Sequence, residues 1–250
     1  MQLTDDGIRI TGGTSGIGRA LAEALHQRGD RAIIAGRRQQ LIDQIVALHP
    51  GMQGLQVDMA DSSAVDTFAV GVRERFPDLN ALINNASITQ AEDLTITDID
   101  VSVARSIIET NIVGVLQLTA ASLPTLRRQS RATILTMTPG LAFVPRTEYP
   151  TYSASKAFLH PWLQSMRSQL RGTVEVLELS PPYVQTELGG SWQATDPNAI
   201  ALADNVTEVM QALEAPAPSR GEILVERLKT LRWAATNGVY EKMFDALNGS

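Results

Sequence analysis

The stretch T-G-G-T-S-G-I-G, Thr11 to Gly18, decides how this chain folds. It follows a short segment read as a strand, Gly7–Thr11. It leads into ALAEALHQRG, where apolar residues recur at helical spacing and Gly29 is a natural stop. Between strand and helix the backbone must turn sharply, come close to a phosphate, and let the helix pack tightly on the sheet. Glycines at 12, 16 and 18 meet those three needs. The helix start then offers free N–H groups and the positive end of its dipole to a pyrophosphate. Thr14, Ser15 and Ile17 complete the expected cradle. A tight turn that binds nothing is the alternative, and the strand before and helix after argue against it.

Outward from this turn, strand-like and helix-like segments alternate, the pattern of a parallel sheet with crossover helices. Further strands are predicted at Arg31–Ala35, Met52–Val57, Ala81–Asn84, Thr133–Thr138, Val174–Leu179 and Glu222–Val225. Helices are predicted from the turn to Arg28, at Gln39–Leu48, from Val101 towards Leu123 ahead of Pro124, and at Thr151–Gly172. A final helix is expected at Asp204–Leu213. Residues 185–202 read as a mobile substrate loop with short helical pieces, and APAPSRG at 215–221 as a linker. The expectation is a single α/β domain over residues 1–250 built on a doubly wound parallel sheet.

With 250 residues and 44% hydrophobic content the chain can bury a full core in one unit. A net charge of −6 argues against nucleic acid or an anionic membrane as the main partner. There is no cysteine, hence no disulfide, no thiolate zinc site and no cysteine nucleophile. His26, His49 and His160 lack ligand spacing and are expected at the surface or on helix flanks, so no metal is expected. The start MQLTDDGIRI has no basic region or long apolar run, so no signal peptide is expected. No stretch is expected to approach the ~20 apolar residues of a membrane span. The expected compartment is the cytoplasm.

The end of the second strand separates the two nicotinamide cofactors. Sites for NAD usually place an acidic residue about 20 positions beyond the turn, on the ribose 2′-hydroxyl. Here that place holds Gly36, followed by Arg37 and Arg38. A carboxylate would repel a 2′-phosphate and a guanidinium can grip it, which predicts NADP(H), with NAD(H) left open. The alternative is that both arginines are solvated residues at a helix start.

Further motifs appear in order: Asp58 after strand three, N-N-A at Asn84–Ala86, N-x-x-G at Asn111–Gly114, Y-x-x-x-K at Tyr152–Lys156 and S-P-P-Y-V-Q-T at Ser180–Thr186. With them the chain resembles, end to end, the short-chain dehydrogenase/reductase family, and the pieces GLAFVP (Gly140–Pro145) and Pro181–Leu188 are similar to a bacterial branch of it. The resemblance implies a Rossmann fold, with Tyr152 as general acid and base. It also implies that Lys156 aids the tyrosine and holds the nicotinamide ribose, and that Asn111 anchors a water. By the same likeness Asp58 and Met59 line the adenine, Asn85 and Ala86 the ribose, with Ser87 close by, and Pro182, Val184 and Thr186 the nicotinamide end. Physical chemistry agrees with the central pair. A free tyrosine has a pKa near 10, and a lysine one helical turn away on the same face stabilises its phenolate. A homodimer or homotetramer, packed through the helices near 101–123 and 151–171, is also implied.

Four positions depart from the pattern. The family's serine, thirteen residues before the tyrosine, is Pro139 here, with neither hydroxyl nor N–H. Thr138 is the neighbouring candidate to replace it, although adjacent residues in extended chain face opposite ways. Arg9 interrupts an apolar strand, Ser87 stands in place of a glycine, and Pro161 falls inside the helix of Tyr152, which it should bend. The leading reading is an NADP(H)-dependent oxidoreductase interconverting a carbonyl and an alcohol on a small molecule. Its pocket walls are expected from Leu141, Phe143, Pro145, Tyr149, Glu187 and Trp192. The alternative is a dinucleotide-binding, redox-sensing protein with little or no catalysis.

Overall fold

The computed structural model describes residues 7–216, 218 and 220–249. The first six residues, Ala217 and Ser219 of the expected linker, and Ser250 lie outside the described residues. Strand β1 (Gly7–Thr11), helix α1 (Gly16–Gln27), β2 (Arg31–Gly36), α2 (Gln39–Leu48) and β3 (Gln53–Gln56) form the first half. Helix α3 (Ser62–Arg75) crosses to β4 (Ala81–Asn84). Helices α4 (Ser102–Ile108) and α5 (Gly114–Leu126), joined by a π turn at Glu109–Val113, cross to β5 (Thr133–Met137). Then come α6 (Pro150–Gln169), β6 (Glu175–Ser180), α7 (Leu202–Glu214) and β7 (Glu222–Leu224), followed by α8 (Lys229–Arg232) and α9 (Tyr240–Asn248).

The strands form one parallel sheet in the order β3-β2-β1-β4-β5-β6-β7, as the alternating pattern predicts. The winding reverses between β1 and β4, where Ile8, Arg9 and Ile10 pair with Ala81, Leu82 and Ile83. Loops leaving the carboxyl ends of these two strands diverge and open a crevice, the usual place for a ligand in such a sheet.

Alternation along each strand supplies two cores. On one face Ile8, Ile10, Ile34 and Leu177 pack with Leu21 and Leu25 of α1 and with Val209 and Leu213 of α7. On the other, Ile33, Leu82 and Ile134 pack with Phe68 of α3, Leu118 of α5 and Leu163 of α6. Each such side chain stabilises the fold by ~1.5–3 kcal/mol. Arg9 occupies this second face at 1% exposure. Its guanidinium donates to Ser122 and sits over the Phe68 ring, while burial pulls its pKa down to about 9.

Predicted strands match within one or two residues, and the helices differ more. Helix α3 was not expected, and α8 and α9 follow the helix expected to be last. The crossover helix does not stop before Pro124. The proline removes only the bond to the Ala120 carbonyl in the last turn, and the helix continues to Leu126. Taken whole, Ser102–Leu126 is a 25-residue helix, long and apolar enough by length and composition to cross a membrane, contrary to expectation. In this fold Ile107, Val115, Leu118 and Leu126 are buried. Pro161 likewise leaves α6 one continuous helix.

Candidate active site

The glycine turn is built as the sequence requires. Gly12 and Gly16 adopt left-handed backbone, φ 66° and 53°, which costs other residues energy. A side chain at Gly12 would meet Asn85 and Ala86 within 3 Å (2.8 and 2.9 Å). Those two residues are held there by Thr11, whose hydroxyl accepts the N–H groups of Asn85 and Ala86, both at 3.1 Å. The Asn85 amide donates back to the carbonyls of Thr11 (3.0 Å) and Gly12 (3.3 Å). Asn85 therefore reaches the cavity wall, but its amide is committed to shaping the turn. Thr11 was read only as the end of a strand. Ser15 is the N-cap of α1 and makes no cap bond, so the N–H groups of the first turn remain available to an anion. Thr14 is buried beside Gly36, where an added Cβ would lie 3.0 Å from the Thr14 side chain.

Beyond β2, Arg37 and Arg38 are exposed. Arg37 borders a shallow cavity of about 360 Å³ with Ile88, Gln90 and Ser102. Asp58 is half-buried and accepts the Ala60 N–H at 3.0 Å; Met59 is buried, with its carbonyl close against Gly114.

A second cavity, of about 260 Å³, brings together Ile17, Asn85, Ser87, Pro139, Tyr152, Lys156, Pro182, Val184 and Thr186. Thr89 borders both cavities. Tyr152 and Lys156 are both buried, at 6% and 3% exposure. The lysine ammonium lies 5.9 Å from the centre of the tyrosine ring and 3.4 Å from the Met137 carbonyl. Burial disfavours charge on each. It pulls Lys156 down to about 8 and pushes the Tyr152 phenol well above its usual range, with the Ser87 hydroxyl acting in the opposite sense on the phenol.

Asn111 is fully buried in the π turn. Its amide oxygen accepts the Ile88 N–H at 2.9 Å, and its NH2 donates to the Ile88 carbonyl (3.0 Å) and to Ser155 (3.1 Å). Ser155 in turn donates to the Tyr152 carbonyl at 2.7 Å. The side chain of Asn111 thus ties the loop after β4 to the helix that carries Tyr152. At the start of that helix Glu92 accepts from both the N–H and the hydroxyl of Thr151.

Other expected residues go elsewhere. Thr138 is not brought to the cavity. Pro139 faces it, so its extended neighbour points the other way, donating to Glu178 at 2.6 Å. Glu178, at 0% exposure, also binds His160 at 2.8 Å. Arg232 closes this buried cluster, pairing with Glu222 at 2.6 Å. His160 is half-buried on the flank of α6, its side chain 17% exposed, as a helix-flank residue. Phe143 leaves the cavity for the same cluster, edge-on to His160 with ring centres 5.2 Å apart. Pro145 and the exposed Glu187 are not on the cavity wall either. Leu141, Tyr149 and Trp192 are, together with leucines that sequence reasoning missed: Leu188, and from the end of the chain Leu228, Leu231 and Leu247. Gly140 lets two of them in, since a side chain there would meet Leu228 and Leu231 at 2.7 and 2.8 Å. The loop at 185–202 is pinned. Buried Gln193 donates to the Val184 carbonyl (2.9 Å) and to Thr186 (3.0 Å), and accepts the Gly189 N–H.

Comparison with known proteins gives a consistent result. Residues 7–197 match a family model described as short chain dehydrogenase. The chain is 34% identical to the uncharacterized oxidoreductase DltE of Bacillus subtilis strain 168, over 99% of this chain and 98% of that one. Its fold is similar to that of a short chain dehydrogenase from Burkholderia cenocepacia J2315 in complex with NADP, with TM-score 0.82, 25% identity and 99% of each chain covered. A short chain dehydrogenase/reductase from Burkholderia phymatum in complex with NAD shares the fold at TM-score 0.79 and 20% identity, over 98% of this chain and 96% of that one.

Proposed function

The chain belongs to the short-chain dehydrogenase/reductase family, and from that premise we propose an NADP(H)-dependent oxidoreductase that interconverts a carbonyl and an alcohol on a small molecule. The observation that carries this reading is the burial of Tyr152 and Lys156 together in the cavity that the glycine turn also reaches through Ile17 and Asn85. The crevice fits a dinucleotide. Gly16 has only the Thr186 side chain near the place of a Cβ, the N–H groups of α1 are uncapped, and Ser87 and Thr89 present buried hydroxyls that lack a partner.

In this reading Gly12, Thr14, Ser15, Gly16, Ile17 and Gly18 hold the pyrophosphate and Asp58 and Met59 the adenine. Arg37 and Arg38 meet the 2′-phosphate, while Asn85, Ala86 and Lys156 face the ribose. Pro182, Val184 and Thr186 face the nicotinamide. The nicotinamide, when bound, supplies or accepts the hydride. Tyr152 gives its phenolic proton to the carbonyl oxygen as that oxygen gains negative charge, and takes it back in the reverse direction. Lys156 stabilises the phenolate that remains. Leu141, Trp192 and the three leucines from the end of the chain keep water from the reacting atoms and favour an apolar substrate.

Loss of NADPH absorbance with a panel of ketones and aldehydes tests the proposal, and turnover of at least one is expected. Tight NADPH binding without any turnover would instead favour the redox-sensing reading, which Pro139 motivates. For the cofactor, Arg37→Ala together with Arg38→Ala is expected to lower the NADPH-to-NADH affinity ratio about 10–100-fold, the worth of a charge-assisted contact. A ratio unchanged in a fluorescence titration removes the preference. We also propose a homodimer or homotetramer, supported by exposed Ile108 (41%), Val113 (40%) and Phe158 (44%) on the two long helices. A monomer in sedimentation analysis would end that part.

A further inference from the structure

The cavity contains a tyrosine poised to move a proton, but Pro139 brings neither O–H nor N–H to its wall. Among the other hydroxyl-bearing residues that line it, Ser87 and Thr89 stand apart. Both are sealed from solvent with no hydrogen-bond partner, an unfavourable state unless a ligand supplies one. They differ in what they face. The Ser87 hydroxyl lies near enough to the Tyr152 phenol to favour its ionised form, yet it makes no bond of regular geometry to it.

Residue 87 is also held on both sides. Thr11 binds the N–H groups of Asn85 and Ala86, and Asn111 grips both the N–H and the carbonyl of Ile88. Through Ser155 the same asparagine reaches the Tyr152 carbonyl, so the serine loop and the tyrosine helix share one anchor. A donor fixed before the reaction stabilises developing charge without having to reorganise.

We propose that Ser87 is a catalytic residue, donating a hydrogen bond to the reacting oxygen in place of the group that Pro139 lacks. This rests on the oxidoreductase reading above. In reduction the hydride adds to the carbonyl carbon, Tyr152 transfers its proton to the oxygen, and Ser87 keeps its own proton throughout. The serine that sequence comparison finds missing from the end of β5 is thus replaced from the end of β4.

The test uses the full chain with NADPH and two carbonyl probes, benzaldehyde and acetophenone. Ser87→Ala is expected to lower kcat about 10²-fold, with KM and the NADPH Kd moving less than about twofold. Ser87→Thr should keep most of the rate. Pro139→Ser should restore about tenfold in the Ser87→Ala background and add little to the native chain. Independently of turnover, the phenolate absorbance of the NADP+-bound chain, with Tyr152→Phe subtracted, should titrate at higher pH in Ser87→Ala. A native rate in Ser87→Ala, an unmoved titration, or a loss confined to the NADPH Kd overturns the proposal. A native chain that reduces neither probe counts against the oxidoreductase reading instead, and the titration still decides Ser87 because it needs no substrate.

Discussion

Tyr152→Phe is expected to cut NADPH-dependent carbonyl reduction by about 10²–10⁴-fold, the usual contribution of a positioned proton donor. NADPH affinity and unfolding midpoint should stay near native, because the ring that packs in the cavity is retained. Rapid-mixing kinetics on any substrate found in the panel reads the effect, and a loss below about tenfold would show that another group delivers the proton. The pH profile of the native chain carries the same argument. Burial lowers Lys156 from 10.5 to about 8, so its ammonium is present below that pH and lost above it. Reduction should therefore slow as pH rises through about 8, as the phenolate loses its counter-charge. Folding responds in the opposite sense. The unfolded chain still holds the lysine proton between about 8 and 10.5, so the native state gains stability over that window while activity falls.

Glu178→Ala is the substitution expected to hurt stability most. The carboxylate is 0% exposed and accepts hydrogen bonds from both Thr138 and His160. Deleting it takes the acceptor from the buried Thr138 hydroxyl and the half-buried His160 ring, and losing such a buried hydrogen-bond partner typically costs about 1–3 kcal/mol. Urea denaturation should show the midpoint falling with the slope unchanged. Glu178→Gln, which keeps an acceptor, should recover a large part of the loss. A cost under about 1 kcal/mol for the alanine would mean that water replaces the carboxylate, and that the cluster is not sealed.

Much of this was legible in the chain. The glycine turn, the strands and the Tyr152–Lys156 pair are written in short-range spacing, which is the kind of information a linear sequence holds. Helix α3 was missed although its buried residues Val65, Phe68, Ala69 and Val72 follow helical spacing, because Gly71 and exposed Val70 blur the pattern in SSAVDTFAVGVRER. A further mark was the N-cap Asp61, whose carboxylate accepts the Ala64 N–H at 3.0 Å. The direction of Thr138 depended on which side of β5 meets the cavity, and its partner Glu178 is forty residues away. Asn111 looked like a water anchor, and its grip on Ile88 needed the π turn, which no local pattern announces. Ser87 was read as a departure lying near the ribose, and the structure sets it beside Tyr152 without a partner.

The three leucines from the end of the chain, Leu228, Leu231 and Leu247, close the cavity from beyond residue 197, where the match to the family model stops. The residues proposed to grip the cofactor and those that complete the proposed substrate wall therefore lie partly in different stretches of the chain. Exchanging the segment after residue 197 between relatives would thus alter the proposed substrate wall while Tyr152 and Lys156 stay in place.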